Sequence, residues 1–176
     1  MTPPALRILG IDPGSNVTGY GIVEWHGGRA THIASGCLRV SGDELAARLG
    51  MIFDGLSRVL DTYQPHEAAV EQVFMARNPD SALKLGQARG AAISAVVTRA
   101  VPVAEYSARQ IKLAVVGRGN AAKQQVQHMV TALLKLQATP PADAADALAT
   151  ALCHAYHHTS PAVLASSSRR RGRWRL

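Results

Sequence analysis

LRILGIDPGSNVTGYGIVEW, residues 6–25, places a carboxylate, Asp12, at the end of an apolar run and directly before a Pro-Gly turn. Residues 7–12 (RILGID) form a short run rich in strand formers, which Pro13-Gly14 closes. Residues 18–25 (TGYGIVEW) and 30–40 (ATHIASGCLRV) carry the same signature, with His26-Gly27-Gly28-Arg29 as the hairpin turn between them. The chain therefore opens with three antiparallel strands. The first of them ends in a charge that a purely structural strand does not need.

Outward from this stretch the periodicity becomes helical. Leu45, Leu49, Ile52, Phe53, Leu56, Val59 and Leu60 recur at helical spacing over 43–63, and Gln64-Pro65 stops that helix. Residues 67–73 (EAAVEQV) return to a strand. Asn78-Pro79 is a cap residue followed by proline at the first helical position, so a helix starts there and runs to about Arg99. Within it Gly86 and Gly90 lie four apart and lower helix propensity, which points to close approach of another backbone, the sheet first and a second copy as the alternative. A strand at 101–105, a helix from Ser107 to the Gly117-Arg118-Gly119 break, a helix capped by Asn120 and ending near Leu136, and an Ala-rich helix from 142 to about 157 complete the order. Three strands, then alternating helices and strands, then helices imply an α/β fold with a mixed sheet and helices on its faces.

At 176 residues the chain has the size of one ordinary domain. Residues 1–158 read as that domain, and 159–176 as a basic, disordered tail. The formal net charge of +7 and a pI near 10.0 suggest a polyanionic partner. That charge is unevenly spread: −3 over 1–76, +7 over 77–135, −2 over 136–168 and +5 over 169–176. A phosphate-binding surface beside an acidic patch has this profile. Cys37 and Cys153 are the only cysteines, each in an apolar segment, so neither a disulfide framework nor a CxxC metal site is supported. Without a signal-like N-terminus or an apolar run of membrane-spanning length, the expectation is a cytoplasmic protein with no membrane partner.

Asp12 ends the first strand and Glu71 lies near the end of the strand at 67–73. If these strands are parallel neighbours, both carboxylates leave the sheet at one edge, about 5 Å apart, and that edge is where open α/β sheets bind ligands. Each acid alone reads as a solvated strand-end charge; between apolar neighbours, the pair needs an explanation. PPADAADALATAL adds Asp143 and Asp146, three apart on one face of the final helix's first turn, where the helix dipole tolerates negative charge. Converging carboxylates repel unless a cation neutralises them. An all-oxygen donor set suits magnesium or manganese, and two such ions about 4 Å apart activate water and stabilise the leaving oxygen of a phosphodiester.

The segments LGIDPGSNVTGYGIV, EQVFMARNPDSALKLGQARGAA, EYSARQIKLAVVGRGNAAKQQVQHMV and ADAADALATAL, in this order from Leu9 to about Ala155, resemble the RuvC family of Holliday-junction resolvases in the ribonuclease H-like superfamily. The resemblance implies a ribonuclease H-like mixed five-stranded sheet flanked by helices. It also implies Asp12, Glu71, Asp143 and Asp146 as a catalytic, metal-binding tetrad with two Mg2+ ions, Mn2+ substituting, and a homodimer that nicks a four-way DNA junction symmetrically. The implied cut leaves 5′-phosphate and 3′-hydroxyl ends, in recombination and repair, beside the RuvA and RuvB branch-migration complex. Phe74 would stack on an unpaired base, worth about 1–3 kcal/mol. Lys112 and Lys123 match basic family positions near the DNA, and Arg77, Lys84, Arg89, Arg109 and Arg118 extend the basic segment.

Other residues carry weaker signals. Asn120 and its neighbouring glycines offer backbone N–H groups to a phosphate. His128 reads as a partly buried helix residue, and His154, His157 and His158 as favourable charge at a helix C-terminus or as metal ligands. The tail arginines and Trp174 offer non-specific DNA contacts. Two further functions stay open on sequence. GIDPGSNVTGYG also resembles the phosphate-binding hairpin of actin-like ATPases and sugar kinases, which need a second lobe that this length leaves no room for. A junction-binding protein without catalysis fits the basic segment, but four acids facing DNA argue against it.

Overall fold

The computed structural model describes residues 4–72 and 78–158. Its first strand, β1 (Leu6–Asp12), ends on the carboxylate that the sequence singles out. β2 (Val17–His26) and β3 (Arg29–Arg39) form the expected hairpin, with Gly27 and Gly28 both at positive φ, as a two-residue turn with the sheet's own twist demands. α1 (Leu45–Tyr63) stops at Gln64, which turns left-handed before Pro65. β4 (Glu67–Gln72) follows, then α2 (Pro79–Val97), whose cap Asn78 accepts a hydrogen bond from the Ser81 N–H at 2.8 Å. β5 (Val103–Ser107) begins two residues later than the sequence suggests. Pro102 has no N–H to give a ladder, although its carbonyl accepts from Ala68 N.

Ser107 caps α3 (Ala108–Val116) in a reciprocal box with Gln110, and Gly117 ends it at φ 77°. α4 (Lys123–Leu133) is where the sequence reading fails locally. Asn120 is not its cap; Ala122 is, and the Gln125 side chain folds back to accept the Ala122 N–H at 2.8 Å. Lys123 consequently opens the helix. α5 (Ala142–His158) completes the chain's described elements, none of whose helices is long and apolar enough to cross a membrane.

The sheet order is β3-β2-β1-β4-β5, antiparallel through β3, β2 and β1 and parallel from β1 through β4 to β5. Alternation along each strand divides the core between the two faces. Leu9, Ile11, Ala68 and Val70 pack towards α1 and α2. Ile8, Val23, Ala69 and Tyr106 pack towards α3, α4 and α5. Even-numbered positions of β1 and odd-numbered positions of β4 thus face α5, and Glu67, Ala69 and Glu71 form one line beneath it.

α5 lies against β1 and β2 at unusually close range because three facing residues are glycine. A Cβ at Gly10 would overlap the carbonyl oxygen of Ala147, one at Gly19 that of Asp143, and one at Gly21 the Leu148 side chain. Eleven of the helix's 17 residues are buried, most of them alanine. By contrast, Gly86 and Gly90 of α2 have nothing within 4 Å of a built Cβ. They do not meet the sheet as expected; Ala88, Ala92, Ala95 and Val96 join the core on that side instead, because these occupy the roughly opposite face of the helix.

Candidate active site

Asp12 and Glu71 stand side by side at the carboxyl edge of the parallel pair, one position beyond the Ile11–Val70 match in the register. The turn after Asp12 is pinned from both sides. Buried Thr18 donates to the Gly14 carbonyl at 3.1 Å, and Arg48 of α1 donates to the Ser15 carbonyl and, at 2.6 Å, to the Asn16 side chain. No sequence signal marks Arg48, because its partners lie more than thirty residues away.

α5 runs antiparallel to β4, so its first turn arrives at the same edge. Asp146 joins Asp12 and Glu71 in lining a pocket of about 230 Å³, with Lys112 of α3 and Lys123 of α4 on the other wall and Ala108, Ile111 and Val126 as its apolar floor. Asp146 accepts from the Lys123 ammonium at 3.1 Å, which raises that amine above its usual range, first through the hydrogen bond and then through the charge. Asp143, one turn earlier, acts electrostatically on Asp12 and on the Cys37 thiol, which places it on the flank nearer the hairpin.

The electrostatics are those of a site short of positive charge. Burial, and then repulsion from Asp146, Glu71 and Asp143, push the Asp12 carboxyl from 3.8 to about 7, against a smaller opposing pull from Lys123. Glu71 is raised too, by burial and by Asp146, while Lys123 and Lys112 pull it down. A carboxyl at a rigid strand end that holds its proton near neutral pH is costly unless something else arrives to neutralise the cluster. The donors are all oxygen and hard, which fits divalent cations of the magnesium class.

The basic residues fall into different circumstances. Lys112 and Lys123 face the acids, and Arg118 is exposed on the loop between α3 and α4. Lys84 is exposed and pairs with Asp80 at 2.8 Å. Arg89 is engaged within the fold: its guanidinium meets Glu105 at 2.7 Å and donates at 3.4 Å to the backbone carbonyl of Glu71, so it braces the end of β4. Arg109 packs its stem on Gly119. His128 is exposed rather than partly buried. Phe74, Arg77 and Trp174 lie outside the described residues.

An α/β sheet of this order, with carboxylates of β1, β4 and the closing helix gathered at one edge, defines a ribonuclease H-like protein. The family model for "Crossover junction endodeoxyribonuclease RuvC" matches residues 8–154. The RuvC crossover junction endodeoxyribonuclease of Hahella chejuensis is 60% identical over 171 residues, which span 97% of this chain and 99% of that protein. Among solved structures, Thermus thermophilus RuvC aligns with a TM-score of 0.79 and 36% identity over 87% of this chain and 95% of that one. The same enzyme in complex with a Holliday junction substrate aligns with a TM-score of 0.79 and 33% identity over the same shares. The chain belongs to the RuvC family of crossover junction endodeoxyribonucleases, a family of divalent-metal-dependent nucleases.

Proposed function

We infer that this chain resolves four-way DNA junctions by paired, symmetrical phosphodiester hydrolysis. The observation that carries the reading is the pocket in which Asp12, Glu71 and Asp146 converge and leave Asp12 without enough positive charge to ionise fully at neutral pH. Asp12, Glu71, Asp143 and Asp146 hold the cations, Mg2+ in the cell with Mn2+ as substitute. Bound there, two cations supply Lewis-acid activation of a water and stabilisation of the oxygen that leaves phosphorus.

The chain's own groups do the rest. β1 and β4 fix two carboxylates on a rigid sheet edge, and the Gly10, Gly19 and Gly21 row seats α5 closely enough to add the other two. Lys123 orients the Asp146 side chain through its hydrogen bond, and Lys112 presents a cation to the entering phosphate. Water adds to phosphorus, the bond to the 3′ oxygen breaks, and 5′-phosphate and 3′-hydroxyl ends remain. Lys84, Arg89 and Arg118, with Phe74 and Arg77, are assigned to DNA contact, although the ion pair with Glu105 leaves Arg89 less charge to offer than the others.

Symmetrical nicks need two such sites, hence a homodimer. The face of α2 that carries exposed Leu83, Gly86, Gly90 and Val97 is the surface assigned to it, since bare glycines let a second helix come close. Residues 1–158 are assigned to the nuclease domain and 159–176 to a basic tail. Action in the cytoplasm beside RuvA and RuvB is assigned to the chain as well, with membership of the RuvC family in its support. The actin-like alternative finds no support, because the described residues form a single sheet without a second lobe.

The test is incubation of the purified protein with a synthetic four-way junction and a matched linear duplex in magnesium, beside Asp12→Asn. Paired, ligatable nicks in the junction alone, lost in the variant while junction binding persists, are expected. Tight binding without cuts in magnesium and manganese, across varied core sequences, would instead establish a binding module.

A further inference from the structure

The opposite end of the α5–β4 contact holds a second convergence of ligand groups. Glu67 opens β4 on the face beneath α5, and His154 and His158 lie one helical turn apart near the end of α5, the i, i+4 spacing that aims two imidazoles at one point. One Glu67 oxygen accepts from His154 Nε2 at 2.6 Å and from His158 Nε2 at 2.7 Å, and the two Nε2 atoms are 3.4 Å apart. The three ligand atoms all lie within 4.8 Å of one another. Glu67 and Glu71 are four strand residues apart, so this cluster is about 13 Å from the acidic pocket.

We propose that Glu67, His154 and His158 form a second metal site, for a borderline divalent transition ion of the zinc class. Ligands about 2.0–2.1 Å from a tetrahedral ion stand about 3.3 Å from each other, which the two imidazole nitrogens already match. The carboxylate oxygen, now 2.6 and 2.7 Å from those nitrogens, needs to retreat by at least about 0.6 Å, which a side-chain rotation supplies. Two imidazoles and one carboxylate are a zinc-type donor set and leave one coordination position, whereas the all-oxygen pocket at the other edge selects hard ions.

The surroundings hold the ligands in place. His154 is 7% exposed, and its other ring nitrogen, Nδ1, is 2.7 Å from the Tyr106 hydroxyl. A hydroxyl accepts as readily as it donates, so it can take the Nδ1–H of a metal-bearing ring and fix its orientation, as partners of metal-bound histidines do. His158 is only half-buried and leaves a path for the ion. His157 takes no part, because its Nδ1 is turned to the Cys153 carbonyl at 2.8 Å. Without metal the cluster is closed by two N–H groups on a carboxylate that His154 and then His158 hold down to about 2. Metal replaces both protons and joins the end of α5 to the start of β4.

The experiment is a zinc titration of the untagged full chain in excess magnesium, following bound zinc per chain after dialysis and the shift in Tm, with Co2+ absorption as a second readout. Expected are one zinc per chain, a raised Tm and a four-coordinate Co2+ spectrum, all kept in Asp146→Asn. In His158→Ala and Glu67→Gln, zinc binding should weaken about 10-fold or more, with far-UV circular dichroism confirming that both fold. Absence of stoichiometric zinc in the wild type, equal binding in all variants, or loss of binding in Asp146→Asn alone would each overturn the proposal.

Discussion

The two ends of the α5–β4 contact use the same pair of elements and meet opposite electrostatic fates. At one end Asp12, Glu71 and Asp146 crowd together, and burial with mutual repulsion pushes Asp12 up to about 7. At the other, Glu67 sits between two imidazoles and falls to about 2, chiefly through the hydrogen bond from His154. A carboxylate next to a helix can therefore be a demand or a settled account, depending on what faces it. The first end needs positive charge from outside; the second carries its own donors and can exchange them for an ion of a different kind.

The sharpest way to break this comparison is cleavage itself. Asp146→Asn should lower single-turnover junction cleavage by about 10³-fold or more, whereas Glu67→Gln should stay within about threefold. Equal losses would mean the two ends work as one unit. Next in size is the glycine row that seats α5. Gly10→Val has no space beside the Ala147 carbonyl and should cost about 2–3 kcal/mol or more in denaturant unfolding, with cleavage falling too as Asp143 and Asp146 shift.

The pH dependence of the metal-free protein sharpens the contrast. Because the folded Asp12 carboxyl titrates near 7 and the unfolded one near 4, the native state binds more protons between those values and loses stability as pH rises through them. Asp12→Asn should thus be more stable than wild type at pH 8 in chelator, on the order of 4 kcal/mol, a gain that vanishes towards pH 4. Glu67 has the reverse sign: its stabilisation is complete above its unfolded value near 4.5 and is lost as pH falls towards 2. Its partial exposure reduces the effect, and Glu67→Gln should cost about 1 kcal/mol at pH 7 in urea unfolding. Smallest is Lys84→Ala, which removes an exposed i, i+4 pair with Asp80. It should change stability by less than about 0.5 kcal/mol and lower the salt dependence of junction binding by about one phosphate contact.

The first end was legible in the sequence and the second was not, for a physical reason. Asp12, Glu71, Asp143 and Asp146 mark the ends of elements, where a charge beside an apolar run stands out, and parallel pairing of the first and fourth strands brings the ends together. The histidines at 154, 157 and 158 were visible as possible ligands, but Glu67 lies 87 residues from His154, and only the strand's two-residue alternation puts it beneath the helix. Glycines misled in both directions. Gly86 and Gly90 advertised packing against the sheet yet face outward, while Gly10, Gly19 and Gly21, which carried no signal within their strands, prove to be the seat of α5. Asn120 was a good cap by type, but Gln125 caps through the backbone two residues later.

The distribution of the acids along the chain has a consequence for how such an enzyme comes into being. β1 carries Asp12 and β4 carries Glu71, but Asp143 and Asp146 come only with α5, after every strand has been made. During synthesis the emerging sheet therefore holds half of the proposed tetrad, and the remainder joins it only when the closing helix settles on the glycine row. Because that contact spans almost the whole described chain, it forms late in folding. A chain cut short before α5 is therefore expected to keep Asp12 and Glu71 but, without the two acids that the closing helix brings, not to cleave DNA.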